Sequence, residues 1–407
     1  MKQREWTRRD TLKSVGTAVL AAGVGAAVYH RMTEYIVGTT SADGIGAAAS
    51  LSENDHAEID LSDHTSVTLV CGLFSETRSQ SLLSRDDVAF IQRDRKLTHV
   101  SGGAQSTPAE RTLPWGIDRV DADIAHAQGA TGDGAEVGVI DTGIAATHPD
   151  LQANLADPDV GDNHRAWAEC SGERCRYPWS DDGGHGTHVA GTIAAGAGES
   201  GVVGVAPEAT LHALKVCAGG GGCRTSAIAE AIRYATDQGW DVANLSLGSP
   251  RSSPALRTAG EYALEAGLVP VAAAGNRGRP DSVGYPAAYD EFIAVSATTI
   301  DDDIAEFSSR GSEVDVAAPG AEVCSAAPDG HTLLSGTSMA APHVVGAVAQ
   351  LRAAGYGPAE ARQRLLDTAE GLGLPDTNQG AGLVDVAAAL GYDSGDDGTG
   401  DGVSCPA

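Results

Sequence analysis

From residue 113 onward, apolar runs of strand length alternate with segments whose apolar positions recur at helical spacing. Strands are predicted over 136–140, 211–216, 241–247, 268–274 and 291–296, and helices over 187–195, 225–238, 255–266, 339–354, 358–369 and 384–390. Alternation of this kind builds a mostly parallel sheet covered by helices on both faces. The fold class is therefore α/β, a three-layer doubly wound sheet. In such sheets functional groups gather at the carboxyl ends of strands and at the amino ends of the helices that follow.

The chain before residue 113 is patterned differently. Short strands over 35–38, 67–70 and 88–91, with a helix over 77–83, predict a small α+β domain within 31–104 that is marginal on its own by size. The Gly/Ser/Gln/Pro-rich stretch 101–108 reads as a linker to a large domain spanning 105–392. Residues 1–30 read as an address: Thr7-Arg8-Arg9-Asp10-Thr11-Leu12-Lys13 precedes sixteen small and apolar residues, 14–29, too short and glycine-rich for a good membrane span. The paired arginines resemble the twin-arginine export signal, which implies secretion of folded protein. An uncleaved N-terminal anchor is the alternative. Residues 393–407 form an acidic Gly/Asp-rich tail, read as solvated chain.

Charge narrows the choice of partner. With 55 acidic against 27 basic residues the net charge is −28, which disfavours nucleic acid and anionic membranes, while 42% apolar residues suffice for a large core. The acidity is uneven: residues 1–104 carry a balance of −2 and residues 105–407 one of −26. Of the basic residues 23 are Arg and four are Lys, and Lys215 is the only lysine after residue 104. At 1 M salt the screening length is about 3 Å, so repulsion that presses such a chain apart in dilute buffer is largely removed. Adaptation to high salt is the expectation.

Three polar groups stand at predicted element ends. Asp141 follows the strand Val137-Gly138-Val139-Ile140; His185 lies in Gly183-Gly184-His185-Gly186-Thr187-His188; Ser338 lies in Gly336-Thr337-Ser338-Met339-Ala340-Ala341-Pro342 at a helix start. An acid, an imidazole and a hydroxyl so placed are what acyl transfer by a serine nucleophile needs. In this order the three segments resemble the subtilisin-type serine peptidases, whose triad runs Asp, His, Ser. The order also disfavours an α/β-hydrolase lipase.

The resemblance runs from about residue 113 to 390, and it implies a serine endopeptidase acting on proteins or peptides through an acyl-enzyme, with no cofactor required for the chemistry. It makes His185, not His188, the general base, and Asn276 the side-chain donor of the oxyanion hole beside the Ser338 N–H. It implies that substrate is held as an added strand between Gly220-Gly221-Gly222 and Ser246-Leu247-Gly248, with a primary pocket walled by Ala273, Ala274 and Gly275 and floored near Gly284. Arg277 is expected at the pocket rim. The small N-terminal domain resembles the inhibitory propeptide of these enzymes, with its removal expected between residues 101 and 112. The acidity and arginine bias are similar to the halolysin branch of the family, although the folded C-terminal extension frequent there is not matched by the short tail after residue 390. A monomer is expected.

Structural calcium is the one metal implied, through Asp150. Gly198 and Arg111 stand where the family commonly offers further oxygen ligands, so the set falls short of the six to eight oxygens calcium takes. Seven cysteines are present. Cys170 with Cys175 and Cys217 with Cys223 are expected as disulfides in an oxidising exterior, and Cys71 as a lone thiol. Cys324 and Cys405 could pair only if the tail folds back, which is not expected.

Overall fold

The computed structural model describes residues 32–98, 105–106, 111–196, 201–219, 222–394 and 405. The export segment, most of the linker, Gly198, Gly220, Gly221 and most of the acidic tail therefore lie outside the described residues.

A seven-stranded parallel sheet organises the large domain, in the order Val316–Pro319, Ile293–Thr298, Val269–Ala273, Val242–Leu245, Glu136–Asp141, Thr210–Lys215 and Arg165–Ala166. The two-residue period of a strand divides its side chains between two cores. Val137, Val139, Leu211, Ala213, Val271 and Val295 join one cluster, with the helices His185–Ala194 and Thr337–Ala353. Ile140, Leu214, Ala272 and Ala294 join the other, with the helices Thr225–Asp237 and Pro254–Ala266. The three-layer α/β architecture expected from the sequence is thus present, with both sheet faces covered.

Residues 32–98 form an α+β unit. Its antiparallel sheet runs Ala57–Asp60, Thr68–Phe74, Thr33–Thr39, Val88–Arg93. One face packs Tyr35, Val37, Val70 and Phe74 under the helices Ala42–Leu51 and Glu76–Leu83. The opposite face sends Ile36, Ile59, Leu69 and Phe90 into the second cluster of the large domain. A unit too small to bury two sheet faces alone so obtains the cover it lacks.

Two departures from expectation concern the C-terminal region. The antiparallel strands Val323–Ala327 and Gly330–Leu334, with Gln105–Ser106 as a third, were not predicted. Their Ala, Ser and Thr content hides the apolar alternation, although Pro328-Asp329-Gly330 is turn chemistry. Against expectation Cys324 and Cys405 form a disulfide, alongside the expected Cys170–Cys175 and Cys217–Cys223 bridges. Cys71 is the free cysteine, its thiol pushed up by burial and then by nearby Asp94 and Glu230.

Candidate active site

The fold brings Asp141, His185 and Ser338 to the carboxyl edge of the sheet. Asp141 is the last residue of its strand, and its Oδ1 accepts from the Thr142 N–H at 2.7 Å and from His185 Nδ1 at 2.8 Å. His185 opens its helix behind Gly184, which sits at φ 87°, a backbone angle that suits glycine. Gly186 follows because a Cβ there would run into the Gly143 carbonyl. Both Asp141 and His185 are buried, at 1% and 0% exposure. Burial pushes the His185 imidazole down, but the Asp141 charge and hydrogen bond outweigh it, so its pKa lies above the ordinary 6.5. His188 has a different environment. Its Nε2 donates to the Val323 and Thr332 carbonyls at 3.0 and 3.1 Å, and burial followed by the His185 charge lowers its pKa to about 3.

Ser338 lies in the first turn of the helix Thr337–Ala353. Its Oγ donates to the Ser246 carbonyl at 3.2 Å. Asn276 is oriented by Thr337, whose N–H and Oγ1–H both donate to Asn276 Oδ1, at 2.9 and 3.0 Å. With the oxygen so engaged, the amide Nδ2 is the end presented toward Gly336, where a built Cβ would lie 3.2 Å from it. Thr337 Oγ1 in turn accepts from the Gly275 N–H at 3.0 Å.

A cavity of about 190 Å³ is lined by Ala273, Gly275, Gly284, Asn276, Arg277 and Ser338 among others. Of the residues expected to wall or floor the primary pocket, Ala273, Gly275 and Gly284 line this cavity and Ala274 does not. Ala274 lies behind the wall, its N–H on the Val295 carbonyl and its own carbonyl taken by the Gly284 N–H. Arg277 is exposed on the rim.

The strand of residues 96–98 occupies the groove beside this pocket. Leu97 pairs with Cys223 and Lys96 with Arg224, antiparallel, while Thr98 pairs with Gly248 on the other side, exchanging bonds of 3.4 and 3.3 Å. Of the expected edges, Gly248 and the neighbourhood of Gly222 are thus seen holding a strand, Leu247 lines the cavity, and Ser246 faces Ser338.

Asp150 does not fit a calcium ion. Its Oδ2 accepts from His331 Nε2 at 2.7 Å and from the Val202 N–H at 2.9 Å, and its backbone carbonyl accepts from the Gly196 N–H. Burial pushes the carboxyl up, but His331 and the Val202 N–H outweigh it and hold it below its usual value. Its Oδ2 is thus taken by an imidazole and an amide N–H, donors that offer a cation none of the oxygens calcium needs. Arg111 pairs its backbone with Gly201.

Sequence reasoning missed four supporting residues. Asp181 gathers the Gly183, Gly184 and Thr187 N–H groups and the Thr187 hydroxyl around the start of the His185 helix. Lys215, fully buried, donates to the Thr142 carbonyl at 2.5 Å and to Asp182 at 2.6 Å, and Asp182 also accepts from the Gly219 N–H. Thr337 is the fourth. Only Lys215 left a sequence signal, as the lone lysine after residue 104.

A doubly wound parallel sheet that sets an acid–imidazole pair and a helix-start serine at one edge is an arrangement that serine hydrolases use. Residues 132–382 match the subtilase family, and the chain belongs to it. It is 37% identical to M-protease of Shouchella clausii (strain KSM-K16) over 92% of this chain and 95% of that protein. It is 45% identical to subtilisin DY of Bacillus licheniformis over 69% of this chain and 99% of that protein, and 40% identical to subtilisin E of Bacillus subtilis (strain 168) over 75% and 79%. The protein is a subtilisin-type serine endopeptidase, acting on protein or peptide substrates.

Proposed function

We propose that Asp141, His185 and Ser338 are the catalytic triad of a secreted, salt-adapted endopeptidase made as a self-inhibited precursor. The observation that carries the catalytic assignment is the buried 2.8 Å bond between His185 Nδ1 and Asp141. It fixes the tautomer in which Nε2 takes the Ser338 hydroxyl proton, after which Oγ attacks the peptide carbonyl carbon. His185 then returns that proton to the leaving amine, and a water repeats the sequence on the acyl-enzyme. Asn276 Nδ2 and the Ser338 N–H, at a helix N-terminus, receive the oxyanion. No cofactor enters the chemistry.

Self-inhibition rests on the strand 96–98, which lies in the groove as a substrate strand would, hydrogen-bonded on both edges. Its unit also caps two helices of the large domain: Asp94 accepts from the Ser226 N–H and hydroxyl, and Gln92 Oε1 accepts from the Ala255 N–H at 3.1 Å. Such caps favour the docked state. Residues 31–104 are accordingly read as an intramolecular inhibitor and 105–392 as the monomeric enzyme.

Secretion is supported by the twin-arginine pattern in residues 1–30, and among the described residues no helix is long and apolar enough to cross a membrane. The balance of −26 after residue 104 supports a halolysin-like salt requirement. The test is casein hydrolysis by the wild type and Ser338→Ala across a NaCl series, with a serine-directed fluorophosphonate as probe. Labelling of the wild type alone, growing toward molar salt, is expected; no labelling at any salt overturns the triad, and salt-independent activity overturns the adaptation.

A further inference from the structure

A cavity of about 470 Å³ lies where the N-terminal unit meets the large domain; it shares Ser249 and Pro250 with the candidate active-site cavity, but Asn276 and Ser338 do not line it. Arg93 and Arg95 line it from the segment that leads into the groove strand, and Arg251 lines it from the opposite wall. Three arginines therefore line one cavity in a chain of net charge −28, Arg95 half-buried and Arg93 and Arg251 exposed. Among the described residues, none of the three has a carboxylate within ion-pair reach. Two carboxylates close by are engaged elsewhere: Asp94, between Arg93 and Arg95, holds Ser226, and Glu34, on the neighbouring strand, pairs with Arg224. Burial lowers the pKa of Arg95, and the charges of Arg251 and Arg93 push it the same way. An acidic protein with 55 carboxylates that leaves like charges facing each other across an interface has left room for a counter-charge from solution.

We propose that this cavity binds a small polyvalent oxyanion, of the sulfate or phosphate kind, which bridges Arg93 and Arg95 to Arg251 and fastens the N-terminal unit to the catalytic domain. The planar fork of a guanidinium donates paired N–H···O bonds to a tetrahedral oxyanion, a geometry a monovalent halide cannot use. Both halves of the site are needed, so anion affinity and retention of the unit are reciprocally linked. Departure of residues 32–98 leaves Arg251 alone and dismantles the site. This regulatory role rests on the reading of those residues as the inhibitor; binding of the anion does not.

The experiment uses full-length Ser338→Ala protein, which stays uncut, in sulfate, phosphate or chloride at one ionic strength. Sulfate or phosphate at ten times its dissociation constant is expected to raise the unfolding midpoint by about 2 °C over chloride. Arg95→Gln and Arg251→Gln are each expected to abolish that difference, which separates a site from the general stabilising action of sulfate. Equal shifts in the parent and both variants, or none, overturn the proposal; if Arg95→Gln does not fold, Arg251→Gln decides. In the wild type, the lag before peptidase activity should lengthen in sulfate. A midpoint shift without any lag overturns the inhibitor reading and keeps the anion site. A lag that sulfate leaves unchanged, with no midpoint shift, does the reverse.

Discussion

Ser246 and Ser338 hold each other by reciprocal bonds: Ser246 Oγ donates to the Ser338 carbonyl at 2.8 Å, and Ser338 Oγ donates to the Ser246 carbonyl at 3.2 Å. The reason lies four residues further on. Pro342 stands inside the helix and has no N–H, so the Ser338 carbonyl lacks its helical donor. Ser246 supplies it from the neighbouring strand end, and Ser338 is tied to that strand end.

Ser246→Ala should therefore leave a buried carbonyl unsatisfied, at a cost of about 1–3 kcal/mol in urea unfolding. Adding Pro342→Ala restores an N–H four residues on and should recover part of that loss. No recovery in the double variant would show that the Ser338 carbonyl is not where the stability went.

Asn276→Ala should lower kcat by about 10²–10³ with little effect on KM, because the donor acts on charge that develops in the transition state. Thr337→Val keeps the amide but removes the hydroxyl that fixes its oxygen. A smaller fall in kcat, with unfolding nearly unchanged, is expected, since Thr337 acts by aiming Asn276. A Thr337→Val enzyme with full kcat would remove Thr337 from the oxyanion machinery.

The sheet and the candidate triad were legible because each rests on local pattern: apolar runs at strand length, and a polar residue at each element end. What escaped depends on distance in the chain. Helix Ala42–Leu51 is mostly Ala and Gly with Ile45 and Leu51 its only large apolar residues, and its helicity comes from docking on the N-terminal sheet. The Cys324–Cys405 bridge joins residues 81 apart, and no local signal announces that pairing. Lys215 was visible only as an anomaly of composition. Its place explains the anomaly: a compact ammonium fits between the Thr142 carbonyl and Asp182, whereas a planar guanidinium needs more room and more acceptors. Asp150 was read through its carboxylate alone, and its partner His331 comes from a hairpin the pattern did not reveal.

The pH dependence of activity and of stability should have different origins. The His185 pKa lies above 6.5, so kcat/KM should rise with pH through a value higher than that of a free imidazole. His164 and His343, near 4, and His188, near 3, are depressed by burial. Their unfolded forms bind protons near 6.5 while the fold excludes them, so the stability they confer is complete above about pH 6.5 and is lost as pH falls toward 4. Replacing His188 by Gln should remove one proton from the slope of unfolding free energy against pH in that window. An unchanged slope would show that His188 is not neutral in the fold.

Chelation should not touch the Asp150 region, since the donors around that carboxylate are protein groups. EGTA is expected to leave the unfolding midpoint unchanged, whereas His331→Ala, which strips a buried carboxylate of its imidazole, should cost about 3 kcal/mol. A midpoint that EGTA lowers in the wild type and not in Asp150→Asn would restore the metal at this place.

The register of the groove strand fixes a cleavage point. Thr98 is paired with Gly248, and on an antiparallel pair two steps forward on one strand are two steps back on the other. A peptide in this register meets Ser246 two residues later, and the Ser246 carbonyl is the acceptor of the Ser338 hydroxyl. In this sequence the residue two beyond Thr98 is Val100, itself outside the described residues, and the pocket walls of Ala273, Gly275 and Gly284 leave space for its small side chain. The bond expected to be cut first is Val100–Ser101, just ahead of the stretch 101–112 expected from the sequence, so the released enzyme should begin at Ser101. N-terminal sequencing of protein matured in molar salt, stopped early with a fluorophosphonate, reads this directly. A first product beginning two residues away would mean that the strand slides before it is cut, and a start beyond residue 112 would mean that residues 96–98 do not lie in the groove as substrate.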